Sequence, residues 1–155
     1  MRLAVFSDSH GFCASMISAV RAYGPDMILH LGDYSRDAEE LIKEFPSTPV
    51  KAVKGNCDFA SQYPENELFS VEDKTIFMTH GHKYNVKFTL DSMLNSAHFA
   101  GADIVLFGHT HRALVMEAAG MRIVNPGTAG TGREPGWAKL EIPGDGTVKC
   151  EIVSF

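Results

Sequence analysis

The sequence predicts an α/β fold, and three observations carry that prediction. Short apolar runs alternate with helix-length amphipathic segments through the first two thirds of the chain, the pattern of strands joined by crossover helices. Beyond residue 107 the texture changes to short strand-like runs punctuated by glycine and proline. Each of the five early apolar runs also ends in polar, titratable residues.

In chain order, LAVF (3–6) reads as a strand and 13–23 as a helix. MILHL (27–31) is the second strand, 36–45 a second helix, and VKAV (50–53) a third strand. TIFMT (75–79) and DIVLF (103–107) are the fourth and fifth strands, with a helix over 87–100 between them. ALVMEA, MRIVN, WAKLEI and TVKCEIV follow, separated by Gly120, Pro126-Gly127, Gly136 and Pro143-Gly144, and read as antiparallel hairpins. No linker or repeat divides the chain, so residues 1–155 form one domain, long enough to bury a core without staples.

Charge and composition exclude several functions. With 14 Lys and Arg against 19 Asp and Glu, the formal charge of −5 argues against a general affinity for nucleic acid or anionic membranes, which clustered cations hold. No apolar run approaches the roughly 20 residues of a membrane span, and Met1-Arg2 leads straight into strand-like residues. A soluble, cytoplasmic protein is expected, with a homo-oligomer left open. Cys13, Cys57 and Cys150, odd in number and widely spaced, read as free thiols.

The five strand ends carry FSDSHG (6–11), LGDYS (31–35), KGNCD (54–58), THGH (79–82) and GHTH (108–111). Ligands of open α/β sheets bind at the carboxyl ends of strands, so these turns are expected to converge on one crevice. They would gather Asp8, His10, Asp33, Asn56, Asp58, His80, His82, His109 and His111, a metal-ligand inventory. In D-S-H and H-T-H, alternation in an extended segment would turn residues i and i+2 toward one locus. Any one of these histidines alone is more often a hydrogen-bonded structural residue than a ligand. Five such elements at successive strand ends favour the functional reading, because unpaired burial of so much charge costs several kcal/mol per ion.

Order and spacing together, D-x-H, G-D, G-N-C-D, T-H-G-H and G-H-T-H followed by N-P-G-T (125–128), resemble the calcineurin-like metallophosphoesterases, most closely their small single-domain phosphodiesterase branch. The resemblance covers nearly the whole chain. It implies a four-layer α/β/β/α sandwich with two divalent metals: Asp8, His10 and His111 on the first, Asn56, His80 and His109 on the second, and Asp33 between them. A carboxylate, with two oxygens, can bridge two cations where an imidazole cannot. The mixed oxygen and nitrogen set suits Mn²⁺, the first choice, and also Fe²⁺, Co²⁺, Ni²⁺ or Zn²⁺. Two such ions would clamp the phosphate of a small ester and supply a bridging hydroxide as nucleophile.

Asn56, Cys57, Asp58 and His82 are further catalytic candidates. His82 either touches the substrate phosphate or supports His80, and Asp58 can orient its neighbours. His30 is either a support for the cluster or a satisfied core histidine, and His98 lies outside. Arg36, Lys83, Arg112 and Arg133 read first as solvated charges and second as phosphate contacts. Two departures from the wider family stand out: Phe12 replaces an asparagine after D-x-H-G, and Cys57 replaces the histidine that assists the leaving group. A neutral thiol is a weak proton donor, so diesters with good leaving groups are expected. The competing reading is a non-catalytic metal-binding scaffold of the same fold, acting through protein partners.

Overall fold

The structure, a computed structural model, describes residues 1–155 and contains two five-stranded sheets. In chain order the elements are β1 (Arg2–Phe6), α1 (Cys13–Tyr23), β2 (Met27–His30), α2 (Arg36–Glu44), β3 (Val50–Ala52), β4 (Asn66–Val71) and β5 (Lys74–Thr79), then α3 (Asp91–Phe99), β6 (Ile104–Leu106), β7 (Ala113–Ala118), β8 (Met121–Pro126), β9 (Gly136–Glu141) and β10 (Lys149–Ser154). The first sheet runs β10-β9-β1-β2-β3 and the second β4-β5-β6-β8-β7. The early strands are thus divided between two sheets rather than laid side by side in one, with parallel β1, β2 and β3 in the first and parallel β5, β6 and β8 in the second.

Side-chain alternation explains why the sheets stack. Leu3 and Val5 of β1, Leu29 of β2, Ile76 and Met78 of β5, Ile104 and Leu106 of β6 and Val124 of β8 share one core between the two sheets. The intervening residues face outward. Ala4, Phe6 and Ile28 pack under Met16 and Val20 of α1 and Leu41 of α2, while Phe77, Val105 and Ile123 pack under Met93 and Ala97 of α3. Both faces of each sheet are covered, so the central strands read as continuous apolar runs. The result is the four-layer α/β/β/α sandwich that the resemblance implies.

One element, one helix boundary and the sheet membership of the C-terminal hairpins differ from the sequence reading. β4 was not expected: NELFSV is an edge strand whose residues alternate between exposed and half-buried, and it pairs antiparallel with β5. The third helix begins at Asp91 rather than 87, after a short 3₁₀ turn over His82–Tyr84 and a left-handed Asn85. There the Thr89 hydroxyl accepts the Asp91 N–H and donates to its carboxylate, a local turn that competes with helix. The C-terminal strands form two hairpins as expected, β7-β8 and β9-β10, but these belong to different sheets: β8 joins β6 and β9 joins β1.

Leu106→Ala, in the shared core, is expected to cost about 2–5 kcal/mol in urea unfolding. Phe99→Ala, at an 89% exposed position on α3, is expected to change stability by less than about 0.5 kcal/mol.

Candidate metal centre

The loops after β1, β2, β3, β5 and β6 converge where the carboxyl ends of both sheets meet. One ligand atom each from Asp8, His10, Asp33 and His111 lies within 4.8 Å of the others, a candidate metal-binding cluster. The local reason differs from simple alternation along a strand. Asp8, His10, Asp33, His109 and His111 all adopt left-handed backbone, with φ of 54°, 47°, 57°, 66° and 57°. Such conformations cost non-glycine residues about 1–3 kcal/mol each and persist only where the surroundings over-determine them. The H-T-H pair is also divided: His111 Nε2 lies 3.1 Å from Asp8 Oδ1, whereas the His109 ring lies 5.0 Å from that of His80.

A second group adjoins the first. His80 Nδ1 donates to the Leu31 carbonyl oxygen at 2.8 Å, which orients the ring and turns Nε2 toward Asn56 Oδ1 at 3.1 Å. Asn56 points its oxygen inward because its Nδ2 donates to Cys57 Sγ. Asp33 Oδ2 and Asp8 Oδ1 stand 3.6 and 3.9 Å from the same nitrogen. Asp8 is fully buried, and its Oδ1 faces His111 Nε2 and, farther off, His80 Nε2. A buried carboxylate amid so many oxygen and nitrogen donors is costly unless positive charge compensates it, so this arrangement fits cations.

Neighbouring residues hold these groups in place, and of them Ser7, Ser9 and Asp37 escaped the sequence reading. Asp8 Oδ2 accepts from Ser7 Oγ and the His109 N–H. Asp33 Oδ1 accepts the Cys57 N–H at 2.8 Å. Buried His30 pairs through Nε2 with Ser9 Oγ, which donates to the Asp33 carbonyl oxygen, so His30 props the Asp33 loop. Asp37 of α2 accepts the Gly11 N–H. Asn125 donates to the Gly108 carbonyl oxygen and Thr110 Oγ1, and Thr128 Oγ1 donates to the Asp8 carbonyl oxygen. The N-P-G-T turn therefore clamps the loops of β1 and β6 together. Two glycines are required by space: a Cβ at Gly108 would lie 1.9 Å from Ser7 Oγ, and one at Gly55 would lie 2.2 Å from Asp33 Oδ1.

Asp58 is placed beside the cluster rather than in it. Its two oxygens accept the Ser35 and Gly55 N–H groups, each at 2.8 Å, joining the loops after β2 and β3. The His82 ring lies 5.4 Å from that of His80, and its Nε2 lies 3.6 Å from Glu65 Oε2. Lys83 also reaches Glu65. His98 is exposed on α3, and Arg36, Arg112 and Arg133 are exposed. A surface groove of about 870 Å³ between α1 and the β9-β10 edge contains none of the candidate ligand residues.

Electrostatics favour an ionised Asp8 and neutral His109, His82 and His30, but the protonated form of His111. Burial would raise the Asp8 carboxyl, but the His111 hydrogen bond, the His80 ring and Ser7 bring it below the ordinary range. Burial and then His80 push His109 down to about 4. His82 is lowered by burial and then by His80, and His30 chiefly by burial, while the Asp8 hydrogen bond raises His111. Cys57 is raised by partial burial and next by Asp33, with Asp58 contributing less. The thiol therefore stays protonated, and its charged neighbour of most weight is Asp33, not the adjoining Asp58.

The sandwich, with acidic and imidazole ligands at the shared carboxyl ends of its strands, defines a metal-site α/β protein. The chain belongs to the calcineurin-like phosphoesterase superfamily, whose domain description matches residues 1–142. It is 34% identical over 131 residues to a probable metallophosphoesterase of Bacillus subtilis, covering 83% of this chain and 75% of that one. It is 27% identical over 146 residues to a phosphodiesterase of Methanocaldococcus jannaschii, covering 82% and 83% of the two chains. The zinc complex of the vacuolar sorting protein Vps29 of Entamoeba histolytica shares the fold, with a TM-score of 0.79, 23% identity and 99% coverage of both chains. No helix is long and apolar enough to cross a membrane.

Asp58→Ala strands two backbone N–H groups that are buried between loops. It is expected to lower stability by about 2–5 kcal/mol in urea unfolding of chelator-treated protein, since each unsatisfied group costs roughly 1–3 kcal/mol.

Proposed function

We propose that the protein is a metal-dependent phosphodiesterase. The observation that carries this reading is the gathering of one ligand atom each from Asp8, His10, Asp33 and His111 within 4.8 Å, with His80 Nε2 and Asn56 Oδ1 beside them. Asp8, His10 and His111 would hold one cation, Asn56, His80 and His109 a second, with Asp33 shared. Mn²⁺ is the first choice among Mn²⁺, Fe²⁺, Co²⁺, Ni²⁺ and Zn²⁺, on the mixed oxygen and nitrogen donors. Bound there, divalent ions supply activation of water and positive charge for the phosphoryl group in flight.

The chain's own residues do the rest. The Leu31 carbonyl oxygen orients His80, as outer partners of metal-binding histidines do. Asp33 is held by the Cys57 N–H, so the shared carboxylate cannot swing away. Cys57 is exposed and protonated, too weak an acid to assist a poor leaving group and too little ionised to attack phosphorus. Diesters with good leaving groups are therefore preferred over monoesters. The relation to a phosphodiesterase supports the same preference. The alternative, a metal-binding scaffold acting through protein partners, is supported by likeness to Vps29 in fold and in sequence; it requires metal binding without turnover.

Exhaustive chelation is expected to abolish hydrolysis of bis(p-nitrophenyl) phosphate and to lower the melting temperature, with Mn²⁺ restoring both. Asp33→Asn is expected to lose bound metal by elemental analysis together with rate; two retained metals with unchanged turnover would remove Asp33 from the shared position.

Cys57→Ser is expected to keep turnover within about tenfold of wild type at equal metal occupancy, because nothing covalent depends on the sulfur. A loss of several orders of magnitude, or a phosphorylated Cys57 in mass spectra of trapped enzyme, would make the cysteine the nucleophile.

A further inference from the structure

Each of the three site loops of the first sheet exposes one aromatic ring. Phe12 follows β1 and is 50% exposed, Tyr34 follows β2 and is 46% exposed, and Phe59 follows β3 and is 97% exposed. Large apolar rings left in water at a site mark a surface that something covers. Tyr34 adjoins Asp33 in the chain and adopts a left-handed φ of 70°, an outlier for a bulky residue. Its ring meets that of His10 edge-on at 5.3 Å, so the aromatic surface begins at the metal cluster itself.

Tyr34, Cys57 and Phe59 line a groove of about 660 Å³, within the range of roughly 300–1,000 Å³ that small-molecule sites occupy. Ser35 and Ser61 contribute hydroxyls, and Arg36 and Glu39 stand at the rim, one a donor and the other an acceptor. The lining therefore combines flat π faces with both kinds of hydrogen-bonding group. A nucleobase presents that combination, with a planar ring and an edge bearing donors and acceptors. An aliphatic chain offers no π face and no hydrogen-bonding partner for Arg36 or Glu39. The formal charge of −5 lacks the cation stripe that a polymer's many phosphates need, so the fit is to one or two nucleosides rather than a long strand.

We propose that this groove receives the nucleoside of a nucleoside phosphodiester, the base stacking against Tyr34 and Phe59 while its phosphate sits at the Asp8, His10, Asp33 and His111 cluster. This rests on the phosphoesterase reading above. Tyr34 and Phe59 are then the residues that set specificity, and the exposed thiol of Cys57 lines the passage between base and phosphate.

The test compares two esters with one leaving group, thymidine 5′-(p-nitrophenyl phosphate) and methyl p-nitrophenyl phosphate, on the Mn²⁺-loaded protein. The thymidine ester is expected to show at least about tenfold higher kcat/KM, since base stacking contributes roughly 1–3 kcal/mol. In Phe59→Leu and Tyr34→Leu the ratio of the two kcat/KM values should fall by about 5- to 100-fold, chiefly through KM. Phe99→Leu, on α3, should leave the ratio unchanged. Equal kcat/KM for the two esters in the wild type, or an equal loss on both in the groove variants, would overturn the proposal. If neither ester turns over, the phosphoesterase reading fails, and calorimetry of the metal-loaded protein with thymidine 5′-monophosphate and with methyl phosphate decides the groove separately. Tighter binding of the nucleotide that Phe59→Leu removes sustains it, and equal binding ends it.

Discussion

The rest of the site depends on the Asp8 carboxylate, fully buried at the meeting of the two sheets. It leaves β1 in the first sheet, yet its hydrogen-bond and charge partners His109, His111 and His80 come from loops of the second. A buried carboxylate without compensation costs several kcal/mol, so its environment must supply positive charge or donors. Ser7 and the His109 amide satisfy one oxygen; the other points into the candidate metal cluster. Holding that arrangement requires the sheets to stay in register, which the apolar core between them enforces.

Strain at the site is the counterpart of this placement. Five ligand candidates take left-handed backbone, a cost that the loops alone would not sustain. The compensation comes from groups that never reach the cluster: Asp58 ties the Asp33 loop to the Asn56 turn, His30 and Ser9 prop the same loop, and Asn125 and Thr128 bind the loops of β1 and β6. Rigidity of this kind preorganises ligands before any ion arrives, which is how a site holds geometry against repulsion among its own donors.

The chemistry then divides along the crevice. Imidazoles lowered by burial keep lone pairs available for cations, and the protonated Cys57 leaves proton delivery weak. Aromatic rings lie on the side of the first sheet, while Lys83, with His82 and Glu65, lies on the side of the second.

Much of this was legible in the residue order. Apolar runs long enough for strands, the helices between them and the polar residue types at each strand's carboxyl end all follow from local composition and backbone preference. Those same motifs carried the family and the four layers. Edge strand β4 was missed because its alternating, half-exposed residues give a weak apolar signal, and the third helix was extended too far because Thr89 and Asn85 reset the backbone through local hydrogen bonding and a left-handed turn. The division of strands between two sheets could not be read, since periodicity says which face is buried and not against what. Tertiary structure alone decided which ligands face one another, that His109 and His111 part company, that Asp58 spends both oxygens on backbone amides, and that Ser9, His30 and Asn125 act as props. Those are contacts between loops distant in sequence, and their energies depend on distance and angle, which only the packed sheets set.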